Sequence, residues 1–221
     1  MGRPLKGARA GALEKLLPII GIPAGNLTVE KNILAGSFFQ KSYKEYWLEI
    51  GFGNGEHLIA LKENFPDVAF LGAEPFINGM SNFLKELEGK ECDNVRVLMD
   101  DALLLCNALA DQSLNRIYIL NPDPWPKKRH HKRRIISQKN LDEFFRILKP
   151  GGRLVMATDV DDLAEWMVTE CMNHPGFEWT ATSSKDWKTP PEEWIETRYA
   201  FKGRKSGRNQ TFLVFKRLAN T

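Results

Sequence analysis

Cysteine is scarce: the 221 residues hold three, Cys92, Cys106 and Cys171, and no C-x-x-C pair. An odd, scattered set excludes a disulfide framework and a cysteine-rich zinc site, and it fits a reducing cytoplasm. The three read as small buried hydrophobes. Long apolar runs are missing too. The longest stretch, Leu16 to Pro23, contains two prolines and a glycine, far short of the ~20 residues a membrane span needs. No apolar h-region follows the first residues, and Lys6 stands where a myristoylation site needs Ser or Thr. A cytoplasmic protein without a membrane partner is expected. Hydrophobic residues make up 43% and charged ones 27%, which suits one large globular domain.

A net charge of +3 hides a strong segregation. Residues 1–9, 127–134 (KKRHHKRR) and 198–208 (RYAFKGRKSGR) together hold 14 of the 31 Lys and Arg and no acid. The rest of the chain sets 17 basic residues against 28 acidic ones. One such run is ordinarily a solvated loop. Three on an acidic body point to a polyanion, here a nucleic acid.

Residues 1–40 carry three prolines and no sustained periodicity, so they read as a basic, partly flexible arm before a single domain over 41–221. From Tyr46 the pattern is regular. Apolar strands at Tyr46–Ile50, Val68–Leu71, Val95–Met99, Arg116–Leu120 and Leu154–Ala157 alternate with helical spacings at Glu56–Phe65, Phe76–Leu87, Leu103–Leu109, Gln138–Leu148 and Leu163–Met172. Two last strands, Phe177–Thr182 and Thr211–Phe215, follow with only a loop between them. The rhythm predicts an α/β fold: a mostly parallel seven-stranded sheet, Rossmann-like, with helices on both faces and one antiparallel edge strand.

An acid stands at or near the end of each of the first five strands: Glu49, Glu74, Asp101, Asp123 and Asp159. Ligands of open parallel sheets bind beyond those strand ends. Asp101 and Asp159 each precede a helix, so N-capping explains either one alone. It does not explain five in step. The first strand runs into Gly51-Phe-Gly53-Asn-Gly55, which departs from the dinucleotide G-x-G-x-x-G because Glu56 stands next. A glycine loop flanked by Glu49 and Glu56 disfavours phosphate and suits a cationic ligand such as S-adenosylmethionine. Glu74, 23 residues beyond Gly51, sits near the spacing at which an acid takes ribose hydroxyls, and Asp101 would face the adenine amine.

The fourth strand ends in Asn121-Pro-Asp-Pro-Trp-Pro126, followed at once by the basic block. Prolines on both sides of Asp123 make a rigid turn. Trp125 offers a stacking face, worth ~1–3 kcal/mol per base, or alternatively caps the sheet edge. Lys128, Arg129, Lys132, Arg133 and Arg134, with Arg204 and Lys205 of the third tract, are the expected phosphate contacts. His130 and His131 have no partner carboxylate in the run and read as RNA contacts rather than metal ligands.

LEIGFGNGEHL (48–58), FLGAEPFINGM (70–80), NPDPWPKKRHHKRR (121–134) and ATDVDDLAEWM (157–167), with Thr197 and the KG at 202–203, resemble the bacterial tRNA (guanine-N7)-methyltransferases. The resemblance covers the chain from about residue 30. It implies a methyltransferase fold, S-adenosylmethionine as donor, and the variable-loop guanine (position 46) of tRNA as acceptor. It matches Glu49, Glu74, Asp101 and Asp123 to the donor-site acids, Asp123 also to the catalytic residue, and Lys127, Asp159 and Thr197 to substrate-binding positions; Gly51, Gly53 and Gly55 are expected at the donor, and Arg198 and Tyr199 at the substrate. No metal is expected, and the oligomeric state, monomer or homodimer, stays open. The family usually has Glu three residues after the Thr, where this chain has Ala200; Glu196 or a neighbour is a candidate to supply that role.

Guanine N7 has no proton to lose, so alignment and exclusion of water suffice for attack. A fixed carboxylate, Asp123, would stabilise the positive charge gained by the purine. Asp123 or Asp159 would read the Watson–Crick donors, and Lys127 would donate to O6. Three other readings fit parts of the chain. N-P-D-P-W loosely resembles the motif of exocyclic-amine methyltransferases, a nicotinamide oxidoreductase is disfavoured by Glu56 and the basic tracts, and a non-catalytic RNA-binding protein would keep only a relic pocket.

Overall fold

The computed structural model describes residues 7–219, so Arg3 and Lys6 of the basic arm lie outside the described residues. The chain starts with α1 (Ala8–Ile20) and α2 (Ala24–Val29) and a 3-10 turn at Ala35–Phe38. It continues through β1 (Glu45–Ile50), α3 (Glu56–Asn64), β2 (Val68–Ala73), α4 (Ile77–Leu87), β3 (Val95–Leu98), α5 (Ala102–Ala108) and β4 (Leu114–Leu120). A second 3-10 stretch at Lys128–Arg133 leads to α6 (Gln138–Ile147), β5 (Leu148–Thr158), α7 (Asp161–Met172), β6 (Phe177–Trp179), α8 (Arg198–Lys205) and β7 (Thr211–Arg217).

The seven strands form one sheet in the order β3-β2-β1-β4-β5-β7-β6. β1 to β5 pair in parallel. Helices cover both faces, so these strands bury nearly every side chain, as the all-buried VAFLGA of β2 does. Leu48, Ile50, Ile117, Ile119 and Met156 face one core with α5, α6 and α7. Trp47, Phe70, Val97, Tyr118 and Val155 face the other with α1, α3 and α4.

At the far side β7 runs antiparallel to both β5 and β6. The expected antiparallel pairing is therefore at that edge, but the one reversed strand, β7, lies one place in, and short β6 is outermost. Two further departures have physical reasons. The segment read as a bare loop before the last strand contains α8, which Thr197 caps by accepting from the Ala200 N–H at 3.2 Å. Half of its residues, RYAFKGRK, are charged and most are exposed, so no apolar period announces it. The N-terminal residues form a helix despite Pro18. An interior proline costs about 3 kcal/mol, and burial of Ala12 and Ile20 against α4 and β3 offsets it.

Chain order reverses between β1 and β4: β2 and β3 build outward on one side, β4 and β5 on the other. Such a switch point opens a crevice at the carboxyl ends of the two strands, here bounded by Gly51 after β1 and Asn121 after β4.

Candidate active site

The turn after β1 needs three left-handed residues, with Gly51 at φ 70°, Gly53 at 56° and Gly55 at 76°. At Gly55 a side chain is also blocked in space, because its Cβ would lie 2.2 Å from Phe83 Cδ2. The turn rests on α4, where a Cβ at Gly79 would lie 2.6 Å from the Gly53 carbonyl oxygen. Glu74, just past β2, fixes it from the other side. Its Oε2 accepts from the Gly53 N–H and its Oε1 from the Phe76 N–H, both at 2.8 Å. Burial holds the Glu74 carboxyl above the usual carboxylate range; the two N–H donors oppose that shift and nearby Asp123 adds to it. Each carboxylate oxygen has two acceptor sites, so Glu74 keeps capacity for a ligand.

The other two acids of this loop serve the protein as well. Glu49 shares a sheet face with Trp47 and Tyr118 and is buried. Its Oε2 lies 3.0 Å from His57 Nδ1 on α3, and the His57 ring packs edge-on against Tyr118. Glu56 accepts from the Arg198 N–H at 2.5 Å and pairs with Arg198 Nε at 3.0 Å. Its charge is thus met by the start of α8, which revises the expectation of an open acidic rim.

Two compartments open here. One, of about 360 Å³, is lined by Glu49, Gly51, Gly53, Glu74, Thr197, Arg198 and Tyr199 among others. The second, of about 640 Å³, is lined by Glu74, Phe76, Asp101, Asp123, Trp125 and Arg133 among others. They share Gly51, Glu74, Phe76 and Asn121 and so form one crevice. Asp101 does cap α5, its Oδ1 accepting from the Leu103 N–H at 2.9 Å, yet it also lines the crevice. Phe76 is 69% exposed beside these acids and lines both compartments.

Asp123 is exposed on its proline-flanked turn. Trp125 follows at φ 43°, with the Arg133 guanidinium 4.9 Å over its ring. Lys127, Lys128, Arg129 and Lys132 are exposed, but Lys127 lines neither compartment. Arg134 is turned inward: it is 2% exposed, donates to the Pro124 carbonyl at 3.0 Å, pairs with Asp162 and covers Trp166. It braces the Asp123 turn from below. Asp159 is buried too, paired with Arg208 Nε at 3.2 Å and lying against Gly203, outside both compartments. Glu196, the candidate for the missing acid at 200, is taken by Arg204 at 2.8 and 3.0 Å. Arg204 and Lys205 both lie over Phe201 on the exposed face of α8.

Several site residues escaped the sequence reading. Phe76, Asn121 and the buried His57 stand inside the motif strings but have no role assigned there, and Gln210 lies outside them. Glu193 pairs with Arg116 and stands 3.3 Å from the Tyr118 hydroxyl, which only the folded chain could reveal.

Comparison with known proteins gives the family. The family model described as "Putative methyltransferase" matches residues 44–213. A tRNA (guanine-N(7)-)-methyltransferase of Agrobacterium fabrum is 42% identical over 97% of this chain and 91% of its own length. One of Bartonella henselae is 44% identical over the same shares. The crystal structure of the 16S rRNA methyltransferase KamB superposes with a TM-score of 0.60 over 80% of this chain and 89% of that one, at 15% identity, a likeness of fold. By sequence over nearly its whole length, by its mixed seven-stranded sheet and by the crevice at its switch point, the chain belongs to the tRNA (guanine-N7)-methyltransferase family.

Proposed function

We propose that the protein methylates N7 of the variable-loop guanine of tRNA, taking the methyl from S-adenosylmethionine. The observation that carries this reading is the position of Asp123. It is an exposed carboxylate on a rigid turn, lining the same compartment as Glu74 and Asp101 and rimmed by Trp125 and Arg133.

The crevice fits the donor by chemistry. Glu74 has the acceptor capacity for a ribose diol, Asp101 for an adenine amine, and Phe76 a face for the purine, while Glu49 and the glycine loop leave a narrow acidic compartment for an amino-acid end. Bound there, the donor supplies an electrophilic methyl on a sulfonium. The chain's own work is alignment and charge. N7 needs no base, so Asp123 acts by facing the purine as it becomes positive, an effect strongest where water is excluded. Asp159 is buried beside Arg208 and outside both compartments, so Asp123 is the exposed carboxylate offered to the Watson–Crick donors. Trp125 and the exposed Lys128, Arg129, Lys132 and Arg133 form the apron for the unstacked base and its phosphates.

The test uses labelled donor with tRNA carrying guanine or 7-deazaguanine at the target position. Labelling of guanine that vanishes on the deaza base is expected; labelling that persists would mean an exocyclic amine is the acceptor. Asp123→Asn is expected to bind donor within about twofold of wild type and to lose at least ~100-fold in turnover. Unchanged turnover would remove Asp123 from the chemistry.

A further inference from the structure

Asn121 stands two residues before Asp123 and lines both compartments of the crevice. Its backbone is left-handed, φ 49°, and its N–H is held by the Ala157 carbonyl at 2.7 Å. The side chain is not free to rotate. Gln210 Nε2 donates to Asn121 Oδ1 at 2.6 Å, across 89 residues of sequence. With Gln210 as the donor, Oδ1 faces Gln210 and the NH2 is left over. Among the described residues no protein group accepts from that NH2.

We infer that Asn121 is a specificity-determining residue whose NH2 donates to O6 of the target guanine, and that Gln210 is a positioning residue that keeps the amide in the donating orientation. The inference deepens the N7 reading and rests on it. N7 and O6 share one edge of guanine and are both acceptors, whereas adenine presents an NH2 donor in place of O6. A group within reach of the methyl-transfer point therefore meets O6 next. A donor there accepts guanine and faces adenine with donor against donor. Lys127, the sequence-level candidate for O6, is exposed and outside the crevice, so Asn121 replaces it.

The experiment measures kcat/KM on tRNA carrying guanine or 2-aminopurine, which keeps N7 but lacks O6. The ratio of the two is compared across variants, so intrinsic differences in N7 reactivity cancel, as does general damage to the fold. Wild type should favour guanine by about tenfold more than a variant without the NH2, the size of one hydrogen bond. Asn121→Asp tolerates the same backbone and still accepts from Gln210, but cannot donate. Asn121→Gly fits the left-handed position and adds no charge. Both should bring the ratio down to a common baseline. Gln210→Glu, which cannot donate to Asn121, should lower it part of the way, mainly through kcat. Ratios in both Asn121 variants equal to wild type would overturn the inference while leaving guanine methylation intact. A wild-type ratio restored in Gln210→Glu would overturn the role of Gln210 alone. If wild type fails to methylate the guanine substrate at all, the N7 reading itself is what falls.

Discussion

The donor side of the crevice and the α8 side are held in different ways. On the donor side the glycine turn is gripped by backbone: Gly53 and Phe76 donate to Glu74, and α4 packs on the turn through Gly79. The partners lie within about one β-α-β unit of each other. The α8 side is fastened by polar side chains from remote parts of the chain, namely Glu56 to Arg198, Arg116 to Glu193, Asn121 to Gln210 and Asp159 to Arg208. Backbone grips next to buried apolar groups are stiff. Of the polar ties, the one to the exposed Arg198 is of the surface kind, worth ~0–1 kcal/mol, whereas Arg116–Glu193 and Asp159 are largely buried. The donor side is expected to be the stiffer of the two.

The largest expected effect breaks the rigid side. Gly55→Ala places a side chain on a left-handed residue and into Phe83. Strain and overpacking together should cost about 3 kcal/mol or more, seen in thermal melts as a fall in Tm of about 10 °C. A melt unchanged within a degree or two would mean the turn is softer than argued.

Next comes the apron. tRNA affinity should fall steeply with salt, and Lys128, Arg129 and Lys132 replaced together by Ala should reduce the log–log slope by about 2 to 3. A flat salt response would take the block out of the tRNA surface.

The softer side should respond differently. Glu56→Ala removes the acceptor for the Arg198 N–H and an ion pair whose Arg198 is 80% exposed. Stability should change by less than ~1–2 kcal/mol, while kcat/KM for tRNA falls about tenfold as the start of α8 loosens. An unchanged kcat/KM would mean that this tie does not position α8.

The smallest effect is in pH. Because burial raises the Glu74 carboxyl, the folded state holds that proton more tightly than the unfolded chain. Its stabilising share is full below the unfolded value and is lost as pH rises through the folded one. If Glu74 takes the ribose diol in its ionised form as proposed, donor affinity should fall on acidification with a midpoint above 4.5, the ordinary value. Glu74→Gln, measured by calorimetric titration, should lack that acid limb.

The sequence alone determined the alternation of strands and helices, the switch-point acids and the proline-locked Asp123. Apolar periodicity and turn chemistry are local, and a parallel sheet aligns its strand ends by construction. It did not determine where those acids point. Glu49 and Glu74 carry the same motif signal, yet one meets a buried His57 and the other accepts from the Gly53 and Phe76 N–H groups. Arg134 reads like its cationic neighbours and is buried under Trp166 and Asp162. α8 was invisible because a charged, exposed helix has no apolar face to display, and Asn121 acquired its meaning only when Gln210 arrived from 89 residues away. Local order is written in neighbouring residues, while the partner of a polar side chain is chosen by packing that brings distant segments together, and only the tertiary structure makes that choice.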